Sequence, residues 1–133
     1  MLQEKSNLKL TVLIALNTVN ALQLKELATQ YKLLNVLDPI TNMAQTLWNH
    51  EVVICAGGIT LHEAIAVGTP AFVINQAKHQ ESKARFIEKS GAAINLGMGN
   101  KYNITKLREA LNLRKPDLET MSLKGKKPYL IKN

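Results

Sequence analysis

VVICAGGITLHEAIAVGTPAFVINQ, residues 52–76, decides the fold. An apolar run, EVVICA at 51–56, meets Gly57 and Gly58 with no loop between. A helical stretch over 61–67 follows and is stopped by Gly68-Thr69-Pro70. AFVIN at 71–75 then reads as a second apolar strand. Two such strands separated by a helix are the unit of a parallel sheet, because parallel neighbours need a crossover. Runs without polar alternation point to strands covered on both faces.

The same rhythm extends outward. Downstream, a helix over 78–90 turns Ala84 and Ile87 inward and ends at Gly91. A strand over 93–96, a turn at 97–100 and a helix capped by Asn103 or Thr105, with Leu107, Ala110 and Leu111 inside, complete that side. Upstream, LKLTVLIAL at 8–16 reads as the first strand. Asn20 caps a helix to about residue 32, with Ala21, Leu24, Ala28 and Tyr31 on one face. A short strand at 34–37 ends at Asp38-Pro39, and Thr41 caps a short helix holding Met43, Ala44, Leu47 and Trp48. The expectation is an α/β fold of five parallel strands in a three-layer, Rossmann-like sandwich. Its domain is residues 1–114, and residues 115–133 are expected to be a basic, poorly packed tail.

Composition narrows the function classes. At 133 residues the chain has room for one domain, and 46% hydrophobic residues exclude wholesale disorder. No apolar run reaches the ~18–20 residues of a membrane span. The opening MLQEKSN lacks a secretory pattern, and a single cysteine, Cys55, excludes an internal disulfide framework. The expected location is therefore cytoplasmic. The net charge of +7 is uneven: residues 1–105 carry nine Lys/Arg against seven Asp/Glu, and residues 106–133 carry eight against three. A basic tail without interleaved aromatic residues reads as a solvated end, not as a nucleic-acid interface.

Three features could carry chemistry. At Gly57-Gly58 a buried strand enters a helix at once, so a ligand could approach the backbone and meet unpaired N–H groups at the positive end of the helix dipole. A phosphate or diphosphate suits such a place; a tight turn needing glycine only for its backbone angles is the other reading. Thr60-Leu61-His62-Glu63 fits a capping box, the reading its spacing favours; a carboxylate in the first turn also suits the two hydroxyls of a vicinal diol. Asn75, Gln76 and Gln80 lie just after the next strand, at the same end of the sheet. Their amides suit sugar hydroxyls, or they form an ordinary polar loop. His62 and His79 have no metal-ligand spacing with a third ligand, His50 reads as a surface residue, and Cys55 reads as core. No metal ligands are assigned.

The stretch from Val52 to Ala84 resembles the nucleotide-binding half of GT-B glycosyltransferases, in particular the PseG/SpsG group, and is similar to the peptidoglycan N-acetylglucosaminyltransferase MurG. The resemblance runs over about residues 8–125, with its specific core in G-G-x-T-x-x-E, G-T-P and the glutamine near the next helix start. It implies binding of UDP or a UDP-sugar, with no further cofactor. Gly57, Gly58, Ile59 and Thr60 would face the diphosphate, and Glu63 the ribose hydroxyls. Asn75, Gln76 and Gln80 would face the sugar or the uridine end. The resemblance assigns no catalytic residue here, because the acceptor-binding domain that carries catalysis in the PseG-type hydrolase matches nothing in this chain.

The family normally has a further strand, glycine-rich loop and helix before the segment matching 8–16, and residues 128–133 depart from its closing segment. The chain thus reads as an incomplete half of a GT-B fold, trimmed at both ends. Removing the first strand from the family's six-stranded order gives 2-1-3-4-5. That order holds if the two strands flanking the gap close up; if they do not, apolar edges remain that a complementary domain or a second copy of the chain would cover. The implied function is the nucleotide-binding half of a glycosyltransferase or UDP-sugar hydrolase in polysaccharide or nonulosonic acid synthesis, inactive without its complement. The alternative is a non-catalytic remnant or interaction module that keeps the fold without turnover.

Overall fold

The computed structural model describes residues 9–13, 21–37 and 42–131. The chain divides into two units, Met1–Asn42 and Met43–Asn133.

In the first unit, β1 (Leu10–Leu13) and β2 (Leu34–Leu37) flank α1 (Ala21–Gln30). The strands pair in parallel, with Leu10 opposite Leu34 and Leu13 opposite Leu37. Leu24 and Ala28 of α1 are half-buried, as their spacing predicts, whereas Leu22, Leu27 and Tyr31 are exposed. The caps expected at Asn20 and Thr41 lie outside the described residues.

The second unit runs α2 (Met43–Trp48), β3 (Val53–Cys55), α3 (Ile59–Val67), β4 (Ala71–Asn75), α4 (Lys78–Ser90), β5 (Ala93–Met98), α5 (Ile104–Leu111) and α6 (Lys115–Ile131). Its strands form one parallel sheet in the order β3-β4-β5. Strand side chains alternate between the two faces, and each face meets its own helices. Val53, Cys55, Ala71, Val73 and Ala93 pack with Leu47, Leu61, Ala64, Ile65 and Ala84 from α2, α3 and α4. Ile54, Phe72, Ile74, Ile94 and Leu96 pack with Leu107, Ala110, Leu118 and Met121 from α5 and α6. Within this unit the expected three layers are present. Among the described residues the strands lie in a two-stranded and a three-stranded sheet, not in one five-stranded sheet.

The punctuation read from the sequence holds at Gly68 and Gly91, which end α3 and α4 in the left-handed conformation. Buried Thr69 adds a tie, its hydroxyl donating to the Leu47 carbonyl at 2.7 Å and fixing the end of α2. Besides a β3 trimmed to Val53–Cys55 from the expected 51–56, three boundaries differ from expectation. The helix expected over 61–67 starts at Ile59. The strand expected to end at residue 96 continues to Met98 through a bulge, since Val73 pairs with Asn95 but Asn75 pairs with Met98. Gly97, at φ 102°, lies at that irregularity, in a conformation that favours glycine.

The third difference is the segment expected to be a poorly packed tail. Residues 115–131 form α6. Its start is set locally: the Arg114 N–H donates to Asp117 Oδ2 at 3.3 Å, the reach-back half of a capping box, and Pro116 sits in the first turn, where its missing N–H costs nothing. Leu118 and Met121, three apart, face the Phe72–Leu96 side of the sheet. Gly125 is buried, and a Cβ there would stand 3.1 Å from Ile65 Cγ2 and 3.3 Å from Ala92 Cβ. Of the lysines in this helix whose side chains are described, Lys115 and Lys124, both are exposed and flank that stripe.

Candidate functional site

The site is built where β3 and β4 end and α3 and α4 begin. Gly57 is buried beneath this junction, and a Cβ on it would lie 2.6 Å from Asn75 Oδ1 and 3.1 Å from both Cβ and O of Gln80. No side chain fits there without moving the start of α4. At Gly58 the only neighbour of an added Cβ would be Gln80 Nε2 at 3.7 Å, an ordinary contact. The two glycines therefore differ: the first is required by close packing, and the second is not.

Gly58 is the N-cap of α3, and no side chain caps this helix. Leu61 N–H turns back to the Gly58 carbonyl at 3.1 Å, while the Ile59 and Thr60 amides have no acceptor among the described residues. Because the helix begins at Ile59, Thr60 lies inside it and cannot act as the cap. The Thr60–Glu63 capping box is therefore not formed. Glu63 is the fifth residue of α3, half-buried, with no hydrogen-bond or ion-pair partner among the described residues. A carboxylate left with its acceptors unused beside an open helix start is suited to binding hydroxyl donors.

At the start of α4 the N-cap is Ala77, which has no side-chain oxygen to offer. Gln80 reaches back from the first turn: its Oε1 accepts from Gln76 N–H, just before the helix, at 2.8 Å. The Gln80 oxygen is thereby committed, and its Nε2 donor lies beside Gly58. Gln76 is exposed. The structure thus brings Gly57, Gly58, Ile59, Thr60, Gln76 and Gln80 to one end of the sheet. Asn75 is there too, but its side chain is fully buried, so it does not present a free amide to a sugar as the sequence reading expected. The positional reason is that it occupies the last residue of β4, under the turn, and not the loop beyond it.

Residues 1–132 match the glycosyltransferase family 28 C-terminal domain. The chain belongs to this family. The family 28 domain is 39% identical over 70 residues to the spore coat polysaccharide biosynthesis protein SpsG of Bacillus subtilis, a match covering 53% of this chain and 20% of that protein. It is 43% identical over 65 residues to the UDP-N-acetylglucosamine--N-acetylmuramyl-(pentapeptide) pyrophosphoryl-undecaprenol N-acetylglucosamine transferase of Alkaliphilus metalliredigens, covering 45% of this chain and 18% of that enzyme. The enzyme of the same name from Acetivibrio thermocellus is 38% identical over 66 residues. The matched stretches span about a fifth of these curated relatives. Among the described residues of the family 28 domain, no helix is long and apolar enough to cross a membrane.

The remaining titratable groups near this end of the domain divide plainly. His62 and His79 are exposed. Cys55 ends β3 and packs against the Leu61–Ala64 core, where burial pushes its thiol up to about 11. It is a neutral core residue at physiological pH. At the opposite end of the sheet, His50 is half-buried, and its Nδ1 lies 2.7 Å from the Thr46 carbonyl at the end of α2.

Sequence reasoning missed Asn95. Its Oδ1 accepts from Asn75 Nδ2 at 2.9 Å and from Gly97 N–H at 3.1 Å. Its backbone is held as well: Asn95 N–H donates to Glu88 Oε2 at 2.5 Å, and Lys106 Nζ donates to the Asn95 carbonyl at 2.7 Å and to Glu88 Oε2 at 3.0 Å. The available signal was a lone carboxamide in an otherwise apolar strand, AINLGM, where a polar side chain needs partners to be tolerated.

Proposed function

We propose that this domain binds UDP or a UDP-sugar at the α3 start, as the nucleotide-binding half of a glycosyltransferase or UDP-sugar hydrolase. The observation that carries this reading is the uncapped helix start over a turn that excludes any side chain at residue 57. Two amides without acceptors, a glycine that lets a ligand approach the backbone, and the positive end of the helix dipole together suit a diphosphate. Gly57, Gly58, Ile59 and Thr60 form that cradle. Glu63 accepts from the ribose hydroxyls, and the Gln80 Nε2 donor and exposed Gln76 face the sugar. Family membership and relatives that act on, or are named for, saccharide synthesis support the assignment.

Turnover belongs to a larger assembly in this reading: an acceptor-binding domain, in the same protein or a partner chain, completes the site. The nucleotide-binding fold takes in residues 1–114, and α6 covers its sheet. The proposed order of the five strands is 2-1-3-4-5, resting on the resemblance and on the neighbour pairs β1–β2, β3–β4 and β4–β5. Amide–amide NOEs between residues 10–13 and 53–55 would join the two sheets; a dimer that lacks them, seen by light scattering, would count against that order.

Calorimetric titration of the chain with UDP, UMP and CMP tests the function. Saturable binding with UDP strongest is the expected result. No binding of UDP at millimolar concentration would sink this reading and leave the chain as a fold without a ligand.

A further inference from the structure

Asn75 has a geometry that assigns each of its side-chain atoms. Gly97 N–H is a donor without ambiguity, so the Asn95 atom facing it at 3.1 Å is an oxygen. That same oxygen faces the Asn75 side chain at 2.9 Å, so the Asn75 atom there is the nitrogen. A second acceptor, the Gly97 carbonyl at 3.1 Å, takes its other proton. Turning the Asn75 amide over would set its oxygen against two acceptors. The remaining atom, Oδ1, is therefore locked toward Gly57, 2.6 Å from where a Cβ would stand. It is fully buried and has no hydrogen-bond partner among the described residues. A buried orphan acceptor is costly, and one held in place by two donated bonds calls for an explanation in function.

We infer that Asn75 is a positioning residue: its carboxamide, oriented by Asn95 and the Gly97 bulge, props the Gly57–Gly58 turn so that the first amides of α3 face the ligand before it arrives. This rests on the reading of that turn as the ligand site. The prop occupies the space a side chain at residue 57 would fill, so the glycine and the asparagine are two halves of one contact. The bulge has a purpose in this arrangement, since the extra residue of β5 brings both the Gly97 carbonyl and the Gly97 N–H within reach of the asparagine pair.

The donor and acceptor assignment makes opposite predictions for the same chemical change. Asn95→Asp keeps an oxygen where Asn95 accepts both bonds, and Lys106 stands near to offset the added charge next to Glu88. Asn75→Asp replaces a nitrogen that donates two bonds with an oxygen facing two acceptors. In the full chain, Asn95→Asp should hold UDP affinity within about threefold of wild type, and Asn75→Asp should lose about tenfold or more. Asn95→Leu should lose affinity that Asn95→Asp retains.

Amide hydrogen exchange supplies a readout that needs no ligand. Asn75→Ala should speed exchange at the Leu61 amide, which is bonded to the Gly58 carbonyl across the turn, while leaving the centres of β4 and α4 at wild-type rates. Equal UDP losses for the two aspartate variants would overturn the proposal, as would exchange accelerated uniformly across the domain. If Asn75→Asp does not fold, the alanine variant decides by the exchange pattern. If wild type binds no UDP, the functional reading fails, and the exchange pattern still decides whether Asn75 props the turn.

Discussion

The starts of α3 and α5 face the same physical problem and solve it differently. Each leaves backbone N–H groups without intrahelical acceptors. At α5 a side chain takes one of them: Asn103 is the N-cap, its Oδ1 accepts from Lys106 N–H at 3.0 Å, and its own N–H donates to the Leu96 carbonyl at 2.7 Å, while the Ile104 and Thr105 amides have no acceptor among the described residues. At α3 the cap is Gly58, which has no side chain, and the Ile59 and Thr60 amides stay open. Both starts leave their first two amides open; α3 differs in having a cap with no side chain beside a buried glycine, and an unpaired carboxylate a turn further on.

The largest effect that tests this contrast is at Glu63. Glu63→Ala should weaken UDP binding by on the order of 2–4 kcal/mol while leaving free pyrophosphate binding unchanged, read by calorimetry. Equal losses for both ligands would show that Glu63 acts on the helix and not on a diol. Gly57→Ala comes next: the added methyl meets Asn75 Oδ1 and the Gln80 backbone, and overpacking there should cost about 1–3 kcal/mol of stability in thermal denaturation. A fully stable alanine variant would mean the turn has slack.

Cys55 probes the strand that feeds the open start. Burial pushes its thiol up to about 11 in the folded chain, above the ordinary 9.0 of a free thiol. Below pH 9 the thiol is protonated in both states and contributes nothing to pH dependence. As pH rises from 9 to 11 the unfolded thiol ionises first, so stability should fall by up to about 2 kcal/mol. Cys55→Ala should remove that component, measured as urea midpoints at pH 8 and 10.5. Asn103→Ala should cost about 1 kcal/mol of stability and leave UDP affinity untouched, which is the signature of a purely structural cap. The smallest effect is expected for Gly58→Ala, below ~1 kcal/mol in stability, because an added methyl there meets only ordinary contact.

Much of the second unit was legible. β4 and α4 span the expected residues because Gly68-Thr69-Pro70 and Gly91 punctuate them sharply, and Asn103 caps α5 as its residue type suggests. The S/T-x-x-E spacing misled because the glycine before it, not Thr60, begins the helix, and a glycine cap has no side-chain signature. Asn75 was read as an amide open to a ligand, and its side chain is buried. An amide at the end of a strand looks the same in a sequence whether it faces solvent or lies beneath a turn. Asn95 went unnoticed because its partners, Gly97 and Asn75, are assembled only by the bulge. Helix α6 was obscured by its lysines and by Gly125. Its inward stripe of Leu118, Met121 and Gly125 is narrow, and close packing against Ile65 and Ala92 makes glycine an interior residue.

The division of the core between the two faces of the β3-β4-β5 sheet has a consequence during synthesis. The face carrying Cys55, Ala71 and Val73 is covered by helices that are close to their strands in sequence, so it can close as it is made. The face carrying Phe72 and Leu96 waits for Leu107, then Leu118 and Met121. Until residue 121 has left the ribosome, that apolar surface remains open, and a nascent chain paused there is the species most exposed to aggregation or to capture by a chaperone.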